Sequence, residues 1–304
     1  MAVGDTITAL RYNNLQSDIE TILGNGSSTS GYGQTVTSAQ VAVTATVQAS
    51  DMQTLYNDMV NARGHQTGST PTAIASIAVG NVIGEDTSDN PDGTAKGYTD
   101  FEALMADIIA DKLVVAGSET TPAVARTSAM SNWNGVHSHV VRFTWPSSDA
   151  RRHFFNTGGE LRTSASLSGG TNSKATNWSS MFTAMGTIKM NYTQTVSSLG
   201  SGTGSNVGFY DLNTGWQRLY SKAGSGVYAE NDYWVDGRAA TATTVDIRVY
   251  FRDDDPADEI AGSPPYPPVD ENVTGTTTST VSYLRASGSY VSIPAPTSAN
   301  TSTL

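Results

Sequence analysis

The 304-residue chain contains no cysteine, which excludes disulfide scaffolds, thiolate metal sites and cysteine nucleophiles. Charge is scarce, with Asp, Glu, Lys and Arg supplying 15% of the residues. No apolar run reaches the roughly 18 residues a membrane-spanning helix needs, so no membrane partner is expected. The opening Met1-Ala2-Val3-Gly4-Asp5 lacks a basic start and an apolar core, so no secretory signal is expected. Also missing are a Gly-x-Ser-x-Gly elbow, a His-Glu-x-x-His pair and a Gly-Lys-Ser/Thr phosphate loop. These absences leave no motif on which to build an enzyme, and no catalytic residue and no cofactor are assigned.

What fills the chain is chiefly Thr, Ser, Gly, Asn and Ala, small residues that suit turns and solvent-facing strand positions. The formal net charge is −11, so phosphate backbones are repelled overall and no nucleic-acid partner is expected. That charge is unevenly spread. Residues 1–116 carry 13 acids and 4 bases, residues 117–252 carry 8 and 12, and residues 253–304 carry 7 and 1. Complementary fields of this order would let the ends of one copy meet the middle of another.

The first hundred or so residues carry helical periodicity. Tyr12, Leu15, Ile19, Ile22 and Leu23 recur at spacings of three and four, with Asp5 or Thr6 as the expected cap and Gly24 as the stop. A second helix is expected from Ser50 or Asp51, with Met52, Leu55, Tyr56 and Met59 on one face and Gly64 after it. A third is expected from a capping box of Thr99 with Glu102, followed by Phe101, Leu104, Met105, Ile108 and Ile109. Residues 7–24 and 47–64 align as a candidate internal repeat, pairing Leu15 with Leu55, Asp18 with Asp58 and Gly24 with Gly64. Short helices with one apolar stripe must bury that stripe on something.

From about residue 120 the texture becomes that of strands. Residues 136–145 alternate, with Val141, Phe143 and Trp145 on one face. Residues 245–251 place Val245, Ile247, Val249 and Phe251 inward, with Asp246, Arg248, Tyr250 and Arg252 outward. Residues 154–167 read as a hairpin turning through Thr157-Gly158-Gly159, and residues 176–185 as a short helix. Residues 281–284 and 290–293 read as two late strands. An acidic, Pro-rich stretch including Pro264-Pro265-Tyr266-Pro267-Pro268 reads as an extended connector, and residues 297–304 as a disordered tail or an arm that docks on a neighbour. The expected fold class is α+β, with N-terminal short helices followed by an antiparallel β-sandwich. Residues 1–118 form a helical attachment and oligomerisation region, residues 119–260 the sandwich, and residues 261–304 the connector with strands or an arm returning to the sandwich.

Three of the four histidines fall between residues 137 and 153. His137 and His139 share a strand face, a spacing that lets two imidazoles reach one metal, but no acid stands at a motif-like offset and no metal is assigned. The run Asp253-Asp254-Asp255 with Asp258 and Glu259 lacks the spacing of a calcium loop and reads as a solvated strand exit. Carboxylates such as Asp149, Glu160, Asp211 and Asp232 form no visible catalytic pair. Trp216, Tyr220, Tyr228, Tyr233 and Trp234 could line a sugar-binding face or a packed core.

Residues 150–162, Ala-Arg-Arg-His-Phe-Phe-Asn-Thr-Gly-Gly-Glu-Leu-Arg, resemble a segment of virion structural proteins from marine tailed bacteriophages, especially those infecting cyanobacteria. Residues 5–23, with Tyr12-Asn13 and Leu15-Gln16, are similar to helices near the start of such proteins, and residues 233–255 to their sandwich strands. The resemblance implies a non-enzymatic component of a tail, neck, baseplate or fibre, located in the virion, whose partners are its own copies and other virion proteins. Its assembly contacts are expected at Tyr12, Leu15, Ile19, Met52, Leu55 and Met59, docking between copies, and at Arg151 and Arg152, pairing with acids across a subunit boundary. The alternative is a carbohydrate-binding adhesin or receptor-binding tip that recognises a host-surface glycan.

Overall fold

The computed structural model describes residues 8–81, 83–90, 93–254 and 272–304. Asp5, Thr6, the acids beyond Asp254 and the Pro-rich stretch lie outside the described residues. The fold is α+β and antiparallel, with five helices and two five-stranded sheets among the described residues. The chain divides into two compact units. The helical unit takes residues up to Thr121, together with Arg152–Gly158 and Arg285–Pro294. The β unit takes Pro122–Arg151, Gly159–Leu284 and Ala295–Leu304. Two segments expected in the sandwich and its returning arm thus pack with the helices instead.

The helical unit is built on α1 (Ala9–Leu23), α2 (Ala49–Thr67) and α3 (Tyr98–Ala110), each touching the other two. Their stripes meet in one core, where Tyr12, Leu15, Ile19, Met52, Leu55, Met59, Phe101, Leu104 and Ile108 are all buried. This corrects the expected docking role of Tyr12, Leu15, Ile19, Met52, Leu55 and Met59. Burial stabilises such side chains by roughly 1.5–3 kcal/mol each, so lending the stripes to another copy would dismantle the unit. Asp100 accepts the Gly97 N–H at 2.9 Å and starts α3. The expected cap residues act elsewhere: Thr99 donates to Glu85 O, and Glu102 bonds Arg11.

Nor is Gly64 a stop. α2 runs one turn further and ends at Gly68, whose φ of 78° is the left-handed geometry that closes a helix. Gly64 lies inside the helix, where an added Cβ would fall 2.4 Å from Tyr290 Cδ1. The aligned glycines Gly24 and Gly64 therefore do different jobs, one ending a helix and the other admitting an aromatic ring.

In the β unit one sheet has the order β1-β9-β3-β4-β5, from β1 (Thr120–Trp133), β9 (Val273–Ala286), β3 (Glu160–Ser168), β4 (Ile188–Met190) and β5 (Thr195–Ser197). The other has the order β10-β2-β8-β7-β6, from β10 (Thr297–Ser302), β2 (Gly135–Thr144), β8 (Thr244–Asp253), β7 (Asp232–Thr241) and β6 (Gln217–Ala223). Inward side chains join the two sheets. Phe143 lies edge-on to Tyr283, and His139 Nδ1 is 3.0 Å from Ser279 Oγ. The helix α5 (Ser173–Met185) adds Trp178 and Phe182, which stack with Trp133, Tyr233 and Phe251.

Three further expectations are corrected. The tail is an ordered strand of its own chain: it forms β10, antiparallel to β2, from Thr297↔Thr144 to Ser302↔Val140. Only a single bridge, Ser287↔Ser292, replaces the late strand expected at residues 290–293. Residues 148–156 form the helix α4 (Ser148–Asn156), not the first arm of a hairpin. Ser147 Oγ accepts the Ala150 N–H at its start, and Phe154 and Phe155 are buried near its end.

Candidate interaction face

Alternation along β8 and β7 drives apolar residues into the core and leaves a charged, aromatic row on the outer face of the second sheet. The register turns that alternation into cross-strand rows. Arg142, Asp246 and Arg238 face one another across β2, β8 and β7. One step along, Arg248, Asp236 and Arg218 do the same across β8, β7 and β6. Tyr250 opposite Trp234 forms the next row, and Arg252 opposite Asp232 the last.

Each central carboxylate is shared by two guanidinium groups. Asp246 accepts Arg142 Nε at 2.7 Å and Nη2 at 2.9 Å, and Arg238 Nε at 2.9 Å. Asp236 accepts Arg218 Nε at 2.6 Å and Arg248 Nη2 at 2.8 Å. Burial pushes the Asp246 carboxyl up, but the bonds from Arg142 and Arg238 outweigh it and hold the group below the usual carboxylate range. The same arginines cover aromatic rings. Arg238 and Arg248 lie 4.4 and 4.1 Å from the centroid of Trp216, and Arg218 and Arg252 lie 4.1 and 5.2 Å from that of Trp234. Cross-strand ion pairs and stacked rings thus lock the strands together, while the arginines keep part of their surface in solvent.

Two of the residues expected to make assembly contacts are adjacent in α4 and go separate ways. Arg151 Nη1 donates to Thr241 O and Thr244 O, at 2.7 and 3.0 Å, and its guanidinium lies over Phe209. Arg152 donates to the carbonyls of Asn25, Gly26 and Ser30. Both serve backbone carbonyls of their own chain, in different directions, because a helix turns successive side chains about 100° apart. His153 and Asn156 join Arg152 on the same loop. His153 Nε2 is 2.9 Å from Asn25 O, and Asn156 Nδ2 reaches Ser28 O, Ser30 O and Gly31 O. The Arg-Arg-His-Phe-Phe-Asn segment therefore holds the turn that follows α1.

The remaining candidates are dispersed. His139 is buried, with Ser279 on Nδ1 and Asn300 on Nε2 at 3.1 Å, and burial pushes its imidazole below the ordinary value. His137 Nε2 lies 2.9 Å from Asn134 O. Among the described residues no group of three His, Cys, Asp or Glu is placed to hold a metal ion. Asp253 is no solvated strand exit: its carboxylate is buried 3.0 Å from Lys174 Nζ, itself fully buried at the start of α5. Glu160 pairs with Arg162, and Asp211 accepts the Gly208 N–H. Of the five aromatics read as either a sugar-binding face or a packed core, Tyr220, Tyr228 and Tyr233 are buried in the β unit, and Trp216 and Trp234 lie on the outer face.

The arginine–aspartate ladder is only half visible in the sequence. Its signal was the outward set Asp246, Arg248, Tyr250 and Arg252, and what the sequence lacked was the register that sets each acid between two bases. No described helix is long and apolar enough to cross a membrane. No protein-family model, no curated protein and no solved structure matches the chain.

Proposed function

We propose that this chain is a structural component of a tailed-phage virion that works by non-covalent assembly with its own copies and other virion proteins. The observation that carries the reading is the outer face of the second sheet. Arginine, tryptophan and tyrosine are the side chains that dominate binding energy at protein interfaces, and here five arginines, two tryptophans and a tyrosine share one plane. The likeness of residues 150–162 to virion proteins of marine tailed phages supports the same reading. In this chain Arg152, His153 and Asn156 of that segment hold backbone carbonyls, a building role with no chemistry attached.

A glycan-binding tip is the competing reading, and it needs an open indole face for a sugar ring. Both outer tryptophans have guanidinium groups stacked on them, which weighs against it. The test is mass spectrometry of purified virions of the encoding phage, with electron microscopy of particles carrying a tag on this chain. A stoichiometric band and a fixed labelled position are expected. Absence from virions, together with a glycan-array signal lost in Trp234→Ala, would replace this reading with the adhesin.

A further inference from the structure

The two long sides of the β unit are finished differently. On the side of β5 and β6, the segment 203–205 pairs with both edges. Thr195 N donates to Ser205 O at 2.8 Å and Ser205 N to Thr195 O at 3.0 Å. Thr203 N donates to Ser221 O at 2.8 Å and Ser221 N to Thr203 O at 2.9 Å. Arg218 and Lys222 add charge to the β6 edge. Covering and charging an edge are the usual ways to stop strands of other molecules adding to it.

Among the described residues no strand or bridge pairs with the outer edge of β1, and Arg126 is the one charge in that strand. β1 is a 14-residue edge strand, and only its last residue, Trp133, is buried. Val124 is 68% exposed. The described contacts from β10 are few and carry no backbone pairing. Arg126 donates to Ser298 O, Leu304 N donates to Ser128 Oγ, and Asn300 Nδ2 stands 3.5 Å from Thr127 O, the long limit of a hydrogen bond. Pro122 removes one donor near the start, and beyond it alternate residues of 123–131 turn their backbone N–H and C=O groups to the open edge.

We infer that the open edge of β1 pairs antiparallel, about a two-fold axis, with β1 of a second copy. The inference rests on the assembly reading above and gives it a location. Charge identifies the occupant. A chain of net charge −11 repels its own copies overall, and a two-fold contact sets each residue near its own counterpart, so such a contact is least opposed where acids are absent. β1 contains no acid and one base, Arg126, already engaged by Ser298 O; β10 contains no charge at all. A two-fold antiparallel pair is self-complementary, because each edge N–H meets the same strand's C=O in the other copy.

The natural absence of cysteine supplies the test. Single cysteines at Val124, Thr127 and Ala129 are oxidised in the otherwise intact chain. A disulfide needs Cα atoms within about 7 Å, and a two-fold antiparallel pair brings only the residue on the axis that close to its own copy, so cross-linking is expected at no more than one of these positions, the one the register sets on the axis. Val124→Lys with Ala129→Lys, both at exposed sites, is expected to weaken the dimer by roughly tenfold or more while leaving tryptophan fluorescence unchanged. A wild-type dimer that neither cross-links at any site nor weakens in the lysine variant overturns the inference and leaves the assembly reading standing. A wild-type chain that is monomeric at every concentration overturns both.

Discussion

The helical unit and the β unit bury their acids in opposite ways. Asp58 accepts Thr37 N at 3.1 Å, Ser38 N at 2.7 Å and Thr37 Oγ1 at 2.9 Å, and Glu119 accepts the N–H groups of Ser289 and Tyr290. Asp236, Asp246 and Asp253 are held by arginine and lysine instead. Backbone donors are fixed, neutral and private to the fold, so the buried Asp58 and Glu119 hold loops in place, while the more exposed Glu85, Glu102 and Asp111 of the same unit pair with Arg11 and Arg63. Guanidinium groups carry more donors than one carboxylate accepts, so the β unit's ladder ties its own strands and still offers charge to solvent. The difference separates acids satisfied by neutral backbone donors from acids satisfied by charged side chains that stay partly in solvent.

The two arrangements break in distinguishable ways. All five tryptophans lie in the β unit, so their fluorescence reports that unit, while helical circular dichroism weights the other. The largest effect is expected for Asp58→Ala, which leaves two N–H groups and a hydroxyl without their acceptor. A loss of about 3–4 kcal/mol is expected in urea unfolding followed by circular dichroism, with little dependence on salt.

Acid separates the units next. Burial pushes the His65 imidazole down to about 4, against the opposing pull of Glu119. The unfolded chain therefore binds a proton that the folded one refuses between about pH 6.5 and 4, and stability falls as pH drops through that window, by about 3 kcal/mol in all. His65→Leu should flatten this slope. Asp246 behaves otherwise. Its depressed folded value means its contribution is complete above the unfolded carboxylate range and is lost only as pH falls below it. His139, pushed down by burial in the β unit, adds a loss of the same sign there, so the units are told apart by His65→Leu, which should flatten the acid fading of the helical signal and leave the tryptophan fluorescence profile unchanged.

Asp246→Asn should cost about 2 kcal/mol in fluorescence-monitored unfolding, reduced by the partial exposure of its arginines and shrinking further in high salt. The smallest effect is expected for Gly64→Ala. Helix propensity favours the change, but the new methyl meets the Tyr290 ring, for a net loss of about 1–2 kcal/mol.

Much of this architecture is written in local periodicity. The stripes of α1, α2 and α3, the alternation of β2 and β8 and the helix around Trp178 follow from spacing alone. What spacing does not encode is the partner. A stripe at Tyr12, Leu15 and Ile19 looks the same whether a sister helix or another molecule covers it, and here the sister helices do. Residues 151–156 read as extended because they lead into the turn signal Thr157-Gly158-Gly159; the Ser147 cap and two buried phenylalanines decide otherwise. The ladder needed register, which pairs Asp246 with Arg142 and Arg238 across 104 and 8 residues of sequence.

The claim on which the account turns is association between copies, and sedimentation velocity of the intact chain across a wide concentration range tests it most directly. The account predicts a concentration-dependent shift from the 31.9 kDa species to a dimer or larger assembly. One unchanging monomeric boundary up to the highest soluble concentration would contradict it.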